Sequence, residues 1–249
     1  MIRLITKIIV ILVLISVSSF GYVSVTKVKY EGGISLFGRV AEANVTLEQN
    51  LVKNTYKMQV TASSTGIVKA LSANRKDTFT SEGNIVAGVY VPNKFTKLIT
   101  KTDYIEKIVY TFEYAKNRVL KKSSIEEIVT ENSYDIINLK KLSRQKLVKS
   151  DNEEYIKLQS NDYISMFLNL GVDKLGSGQV KYIDQKETDD VLLINNSIFE
   201  VSKHNGEEIY RINVSKKNSL FFDKAVAVDI AFYGDAYLKK VSEKESIIN

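Results

Sequence analysis

The sequence predicts a mainly β protein (β-rich α+β), with a single antiparallel, strongly curved sheet or partly open barrel and one or two short helices. Three observations predict it: several stretches alternate apolar and polar residues, an Asn-Gly pair marks a tight turn, and no strand–helix–strand repeat is present. Of the 249 residues, 44% are hydrophobic and 26% are charged, which is enough to build a core and a wet surface. We expect one β-rich domain over residues 22–249.

Residues 1–21 are typical of an export signal. A basic start precedes an apolar run at residues 8–17, and Ser19 and Gly21 supply the small-x-small pattern that a signal peptidase accepts. We therefore expect cleavage after Gly21 and a periplasmic protein that begins at Tyr22. An uncleaved N-terminal membrane anchor is the alternative, although the apolar run is shorter than the roughly 20 residues of a spanning helix.

The composition excludes several classes of function. Cysteine is absent, which excludes disulfides, thiol catalysis and thiolate metal sites, and a single histidine excludes a multi-histidine metal site. The net charge is +6, but positive and negative residues are mixed along most of the chain. Nucleic-acid binding needs basic charge concentrated on one face, so we do not expect it. We expect no cofactor and no metal.

Alternating stretches predict antiparallel strands with one wet face. Apolar residues recur at every second position in residues 41–48, 56–63, 108–114 and 210–215. In the third of these stretches the repeating residues are aromatic from Tyr110 onward. We expect these side chains to line either the core or a cavity inside a curved sheet.

Three short polar segments predict turns. Asn205-Gly206 favours a two-residue hairpin turn, because both residue types accept positive φ angles. Residues 82–84 and Lys116-Asn117 predict further turns.

Two short helices are predicted. A weaker one covers residues 66–73 and is expected to bury Ile67, Ala70 and Leu71. The clearer one follows a cap at Asn161 or Asp162 and ends at Gly171. Its expected apolar face consists of Tyr163, Met166, Phe167 and Leu170.

Residues 120–155 fit either a strand or a helix. The basic part, residues 140–149, interleaves lysine and arginine with apolar residues. It is compatible with an amphipathic helix on an anionic membrane surface, and better with a lysine-guarded edge of the sheet. Membrane-surface contact would use Lys140, Lys141, Arg144 and Lys146.

The order of several short motifs resembles an exported bacterial family. The motifs are VKYEGG at 28–33, LFG at 36–38, ASSTG at 62–66, GVYVP at 88–92, YTFE at 110–113 and DYISMF at 162–167. Together they resemble, over most of residues 28–240, the periplasmic family labelled domain of unknown function 3108. The resemblance implies a periplasmic, predominantly antiparallel β fold, similar in general shape to periplasmic lipoprotein carriers. It implies no catalytic residues.

The first functional hypothesis is a non-enzymatic protein that binds or carries an apolar or lipid-like molecule inside the sheet. Its candidate contacts are Tyr110, Phe112, Tyr114, Phe167 and Phe232. The alternative is a structural or protein-interaction component of the cell envelope that has no small-molecule ligand. A hydrolase that uses His204 or paired acids ranks last. No serine lies in a G-x-S-x-G elbow, the histidine abuts a predicted turn, and adjacent acidic residues in a strand point to opposite faces.

Overall fold

The computed structural model describes most of the chain from Tyr22 onward. The backbone is described for residues 22–135, 140–171, 178–180, 183, 191–195, 198–202, 209–215, 220–230 and 234–248. Side chains are described for residues 22–132, 143–169, 183, 220–226 and 235–248. The predicted export signal, His204, the Asn205-Gly206 turn and Phe232 lie outside the described residues.

The described strands form one antiparallel sheet. The N-terminal strands are β1 (Val23–Ile34), β2 (Gly38–Asn50), β3 (Thr55–Ser64), β4 (Lys76–Val86), β5 (Val89–Lys101), β6 (Tyr104–Glu113), β7 (Arg118–Asp135) and β8 (Lys140–Lys157). The C-terminal strands are β9 (Gly178–Val180), β10 (Val191–Asn195), β11 (Ile198–Ser202), β12 (Ile209–Ser215), β13 (Lys224–Ile230) and β14 (Gly234–Ile248). Two helices, α1 (Gly66–Leu71) and α2 (Tyr163–Gly171), and a 3-10 helix (Tyr114–Lys116) complete the described elements.

The strand order is β8-β7-β6-β5-β4-β3-β2-β1-β14-β13-β12-β11-β10-β9. Strands β1 to β8 therefore form a meander, and β14 returns to pair with β1, so that Val23 lies opposite Ile248. The described strands do not pair β8 with β9, so the sheet is open rather than a closed barrel. The predicted fold class is confirmed.

One face of the sheet, which we call the inner face, carries the core. Val45 and Leu47 of β2 and Tyr56 and Met58 of β3 are buried on it, as their alternation predicts. The residues that alternate with them, Thr46 and Lys57, are polar and lie on the outer face, which leaves that part of the sheet solvated. The four-residue segment 220–223 crosses the inner face, where the Tyr30 hydroxyl donates to the Phe222 carbonyl at 3.0 Å.

Of the turn predictions, one is confirmed and one is wrong. Asn117 ends the 3-10 helix in the left-handed conformation, at φ 49°. Residues 82–84 are instead inside β4, where the register with β5 shifts between Glu82 and Gly83. Glycine serves here for close approach of two strands rather than for a turn, because the backbone of Val91 lies against it.

Helix α2 is confirmed, but only part of its predicted face is right: Met166 is buried as expected, and the side chain of Leu170 lies outside the described residues. Ile164 and Leu168 are also buried, whereas Tyr163 and Phe167 are 36% and 49% exposed. The helix is rotated because its polar residues are also tied to the sheet, as described below.

Helix α1 is present, but its predicted burial is wrong. Ile67, Ala70 and Leu71 are all exposed. The helix packs mainly on the ends of β2 and β3. Apolar periodicity alone does not distinguish a helix on a core from a helix at the margin of a sheet.

The described part of residues 120–155 belongs to the two long strands β7 and β8, and β8 is an edge among the described strands, as the lysine-guarded alternative predicted. Beyond Glu127, β7 pairs only with β8, so the two strands project from the sheet as an arm. Arg144 is exposed there, and the Lys146 ammonium lies 3.4 Å from the Glu131 carboxylate. The side chains of Lys140 and Lys141 are outside the described residues, and membrane contact by this basic stretch stays a prediction.

Candidate functional site

Helix α2 covers only part of the inner face. We call the end of the sheet where β1 begins the Tyr22 end, and the opposite end, where β1 turns into β2, the Leu36 end. The helix packs on β4 and β5 and runs from the middle of the sheet toward the Tyr22 end, from Ser81 at its first residues to Tyr90 at its last turn. The inner face toward the Leu36 end is left without this cover.

A buried aspartate begins the helix. The Asp162 carboxylate accepts hydrogen bonds from the backbone N–H groups of Ile164 at 2.7 Å and Ser165 at 2.8 Å. The Ser165 hydroxyl in turn accepts from the Asp162 N–H at 2.9 Å. This reciprocal arrangement is a capping box, in which two backbone donors of the first turn are satisfied by side chains.

The same carboxylate also fastens the helix to the sheet. The Ser81 hydroxyl on β4 donates to Asp162 at 2.6 Å, and Tyr56 on β3 lies 2.8 Å from Ser81. Burial raises the pKa of Asp162 to about 6, although the hydrogen bonds from Ser81 and the helix favour its ionised form. Because the single hydroxyl proton of Ser81 goes to Asp162, Tyr56 is the donor to Ser81. Burial and the Asp162 charge raise the pKa of Tyr56 well above its ordinary value.

The other end of α2 is fastened by an amide. Asn169 accepts from the Tyr90 N–H at 2.7 Å and donates to the Tyr90 carbonyl at 3.0 Å. It therefore pairs with β5 as a neighbouring strand would, and it satisfies backbone groups that the helix would otherwise bury unpaired. Gln49 donates to the Tyr90 hydroxyl at 2.8 Å, which extends this contact to β2.

Replacing this amide should loosen the helix from the sheet. We expect Asn169→Ala to lower the free energy of unfolding by about 2 kcal/mol, because the Tyr90 N–H and carbonyl would stay buried without partners. Denaturant unfolding measures the loss. Asn44→Ala, at an exposed asparagine on the outer face of β2, is the control. Equal stability of the two variants would contradict a role for Asn169 in docking α2.

A strip of aromatic side chains follows the edge of the covered region. The Phe95 ring lies 6.3 Å from that of Phe79, 5.8 Å from Tyr110 and 5.6 Å from Tyr163. We call these four residues the aromatic strip. Phe95 and Tyr110 are buried, whereas Phe79 is partly exposed and Tyr163 is 36% exposed. The strip thus passes from the core to the open part of the inner face.

Charged side chains lie on the inner face beyond the strip. Cross-strand register places Lys97 beside Phe79 on the same face of the sheet. Its ammonium lies 3.8 Å from the Glu106 carboxylate, and both side chains are mostly buried. The open part of the inner face therefore offers an aromatic surface next to polar groups, an arrangement typical of sites for amphiphilic ligands.

The structure places the predicted ligand contacts in different environments. Tyr110 is in the aromatic strip, and Phe112 is buried further toward the Tyr22 end. Tyr114 is not part of the strand; its ring stacks 5.9 Å from Phe112, and its hydroxyl donates to the Pro92 carbonyl at 2.6 Å. Phe167 is on the exposed side of α2. Phe232 lies outside the described residues.

Sequence reasoning missed Phe79, Phe95 and Tyr163 as neighbours of Tyr110. Phe79 and Phe95 alternate with polar residues in their strands, which was a usable signal for one shared face. The helical spacing predicts Tyr163 on the buried face of its helix. It therefore does not predict the position of Tyr163 at the edge of the covered part of the inner face.

In the part of the chain that the structure describes, no group of three or more His, Cys, Asp or Glu residues could hold a metal ion. Among the described helices, none is long and apolar enough to cross a membrane.

Comparison with known families matches the N-terminal half of this sheet. Residues 25–139 match the family model described as "Protein of unknown function (DUF3108)". This part of the chain is therefore similar to the DUF3108 family. The match extends from β1 to the end of β7, and so confirms the resemblance for the motifs up to YTFE at 110–113. The motif of α2 at 162–167 lies beyond it. No curated protein matches the chain.

Proposed function

We propose that this chain is an exported periplasmic, non-enzymatic protein that binds an apolar or lipid-like molecule on the inner face of its sheet. The observation that carries the proposal is the aromatic strip, which continues the core onto a part of the inner face that α2 does not cover. Large aromatic side chains left partly exposed beside a packed core are typical of binding surfaces.

The neighbouring charges favour an amphiphilic ligand. The apolar part would lie on Phe79 and Tyr163, and Lys97 is close enough along the sheet to meet a polar or anionic group. The Lys97–Glu106 pair is only partly buried. A ligand anion could therefore replace Glu106 as the partner of Lys97 without leaving the Glu106 carboxylate fully buried and unpaired.

The first test is native mass spectrometry of the exported protein, followed by organic extraction and lipid analysis. We expect a co-purifying apolar molecule in the wild type and several-fold less of it in Tyr163→Ala. Tyr155→Ala, at an exposed tyrosine on β8, is the matched control and should retain the ligand. Phe167→Ala tests whether the exposed side of α2 contributes.

Two outcomes would contradict the proposal. One is equal retention by Tyr163→Ala and Tyr155→Ala, which would remove the aromatic strip from the site. The other is an absence of bound ligand in the wild type together with no shift in melting temperature when lysophospholipid is added, since a ligand that binds the folded state must stabilise it.

The second candidate is an envelope interaction protein without a ligand. Its supporting observation is the Leu36 end of the sheet, where Leu36 and Phe37 are exposed in the turn before β2, and Ile67 and Leu71 are exposed on α1, which packs on β2. Cross-linking in envelope extracts tests it. Recovery of the same partners by wild type and by Ile67→Ser/Leu71→Ser would count against this surface.

A further inference from the structure

The Tyr22 end of the sheet carries a second group of exposed apolar residues, which we call the apolar rim. All six are large apolar side chains that are 53–61% exposed: Tyr22, Leu51, Val52, Val86, Ile247 and Ile248. Isolated exposed apolar residues need no explanation, but a contiguous row indicates an interaction surface.

Backbone pairing shows that the rim is contiguous. The Leu51 N–H donates to the Tyr22 carbonyl at 3.2 Å, and Val23 lies opposite Ile248. The Ile85 N–H donates to the Asn54 carbonyl at 2.7 Å, which joins the end of β4 to the turn after β2. The rim thus follows neighbouring strands from β4 to β14, about 19 Å at the usual strand spacing.

The turn at the centre of the rim is fixed in shape. The Asn50 side chain accepts from the N–H groups of Val52 at 3.2 Å and Lys53 at 2.8 Å, forming an Asx turn. Leu51 and Val52 are therefore presented at the tip by a preformed structure.

The rim segments carry little charge. The rim segments 50–54, 86–89 and 246–248 contain no acidic residue, and Lys53 is their only charged residue. The turn after β6, at the same end of the sheet, carries Glu113, whose carboxylate is paired with Lys116 and Arg118. An apolar row with a tyrosine and a lysine, without carboxylates, matches the interface of a bilayer that contains anionic lipid.

The chain itself approaches the rim from an apolar segment. Residues 8–17 are apolar, and only residues 18–21 separate that run from Tyr22. An apolar segment that stays in a membrane would hold the Tyr22 end within a few residues of the bilayer. After cleavage of that segment, the apolar rim alone would contact the bilayer.

We propose that the apolar rim rests on the surface of an anionic lipid bilayer, with Leu51 and Val52 among the headgroups and Lys53 toward lipid phosphates. This orientation places the Leu36 end and the β7–β8 arm away from the membrane. This membrane contact goes beyond the proposed ligand site, because it uses a different end of the sheet. It also argues against membrane contact through Arg144 and Lys146.

The absence of cysteine permits a direct test with the full chain. Single variants Val52→Cys at the rim, Ile67→Cys at the Leu36 end and Ser143→Cys on the arm are labelled with an environment-sensitive fluorophore. Each is mixed with vesicles of phosphatidylethanolamine and phosphatidylglycerol, with and without a doxyl-lipid quencher. We expect a blue shift and quenching at Val52 alone, and a reduced response when Leu51→Glu is added.

Several results would overturn the proposal. An unchanged spectrum at Val52, or an equal response at Ile67 or Ser143, would place the membrane contact elsewhere or nowhere. A blue shift without vesicles that increases with protein concentration would identify a second copy of the chain as the occupant. A vesicle response that Leu51→Glu leaves intact would assign the contact to the first segment alone. None of these results depends on the ligand site of the inner face.

Discussion

Relative to Asp162→Asn, the wild-type protein is expected to lose about 3 kcal/mol of unfolding free energy as the pH rises from about 4 to about 7. Burial raises the pKa of Asp162 from 3.8 to about 6, so the folded state holds this proton more tightly than the unfolded chain does. The stabilisation of the folded state by this bound proton is fully present below the pKa of Asp162 in the unfolded chain. It is lost as the pH rises through the pKa of Asp162 in the folded state. The asparagine of the variant does not titrate, so the difference isolates one group.

The geometry explains why this carboxylate tolerates burial. Three donors surround it: the N–H groups of Ile164 and Ser165 and the Ser81 hydroxyl. Asparagine can keep the two acceptor contacts to the helix, so α2 should still begin at the same residue. The expected consequence in the wild type is a helix held more firmly to the sheet in acid than at neutral pH.

Chemical denaturation at a series of pH values measures this difference. Asp151→Asn, at an exposed aspartate on β8, is the control and should follow the wild-type curve. If the free energies of unfolding of wild type and Asp162→Asn changed in parallel with pH, Asp162 would not be buried as it is in the structure. Hydrogen exchange in residues 163–169 would show whether α2 is the element that responds.

The sequence contained the local signals of this fold but not its long-range contacts. Alternation identified the buried positions of β2 and β3, and the cap at Asp162 marked the start of α2. The contacts from Asp162 to Ser81 and from Asn169 to Tyr90 join residues about eighty positions apart. The periodicity of a strand (two residues) or of a helix (3.6 residues) gives no information about contacts between residues so far apart in the sequence.

These missed contacts also account for the wrongly predicted part of the α2 face. Apolar spacing alone favours the row of Tyr163 and Phe167, because both are large and four residues apart. The helix instead turns Asn169 inward, where its amide satisfies the backbone of β5. A buried backbone group without a partner costs more free energy than one aromatic ring left at the margin, so hydrogen bonding decides the rotation.

Gly83→Ala is expected to lower the free energy of unfolding by about 3 kcal/mol or more. A Cβ atom on Gly83 would overlap the Val91 carbonyl and lie 2.8 Å from the Cα atom of Pro92. Both are backbone atoms of the adjacent strand, so no side-chain rotation relieves the clash. The strands must separate at the point where the register of β4 and β5 shifts.

The damage should extend to the site, because Tyr90, two residues before Pro92, receives Asn169 of α2. We therefore expect Gly83→Ala to increase hydrogen exchange in α2 as well as to lower the melting temperature. Gly32→Ala is the matched control, since a Cβ there would meet Ala41 and Leu238 side-chain atoms at an ordinary 3.5 Å. If both alanine variants unfold at the wild-type temperature, the close approach of β4 to β5 is wrong, and with it the register that positions α2 over the inner face.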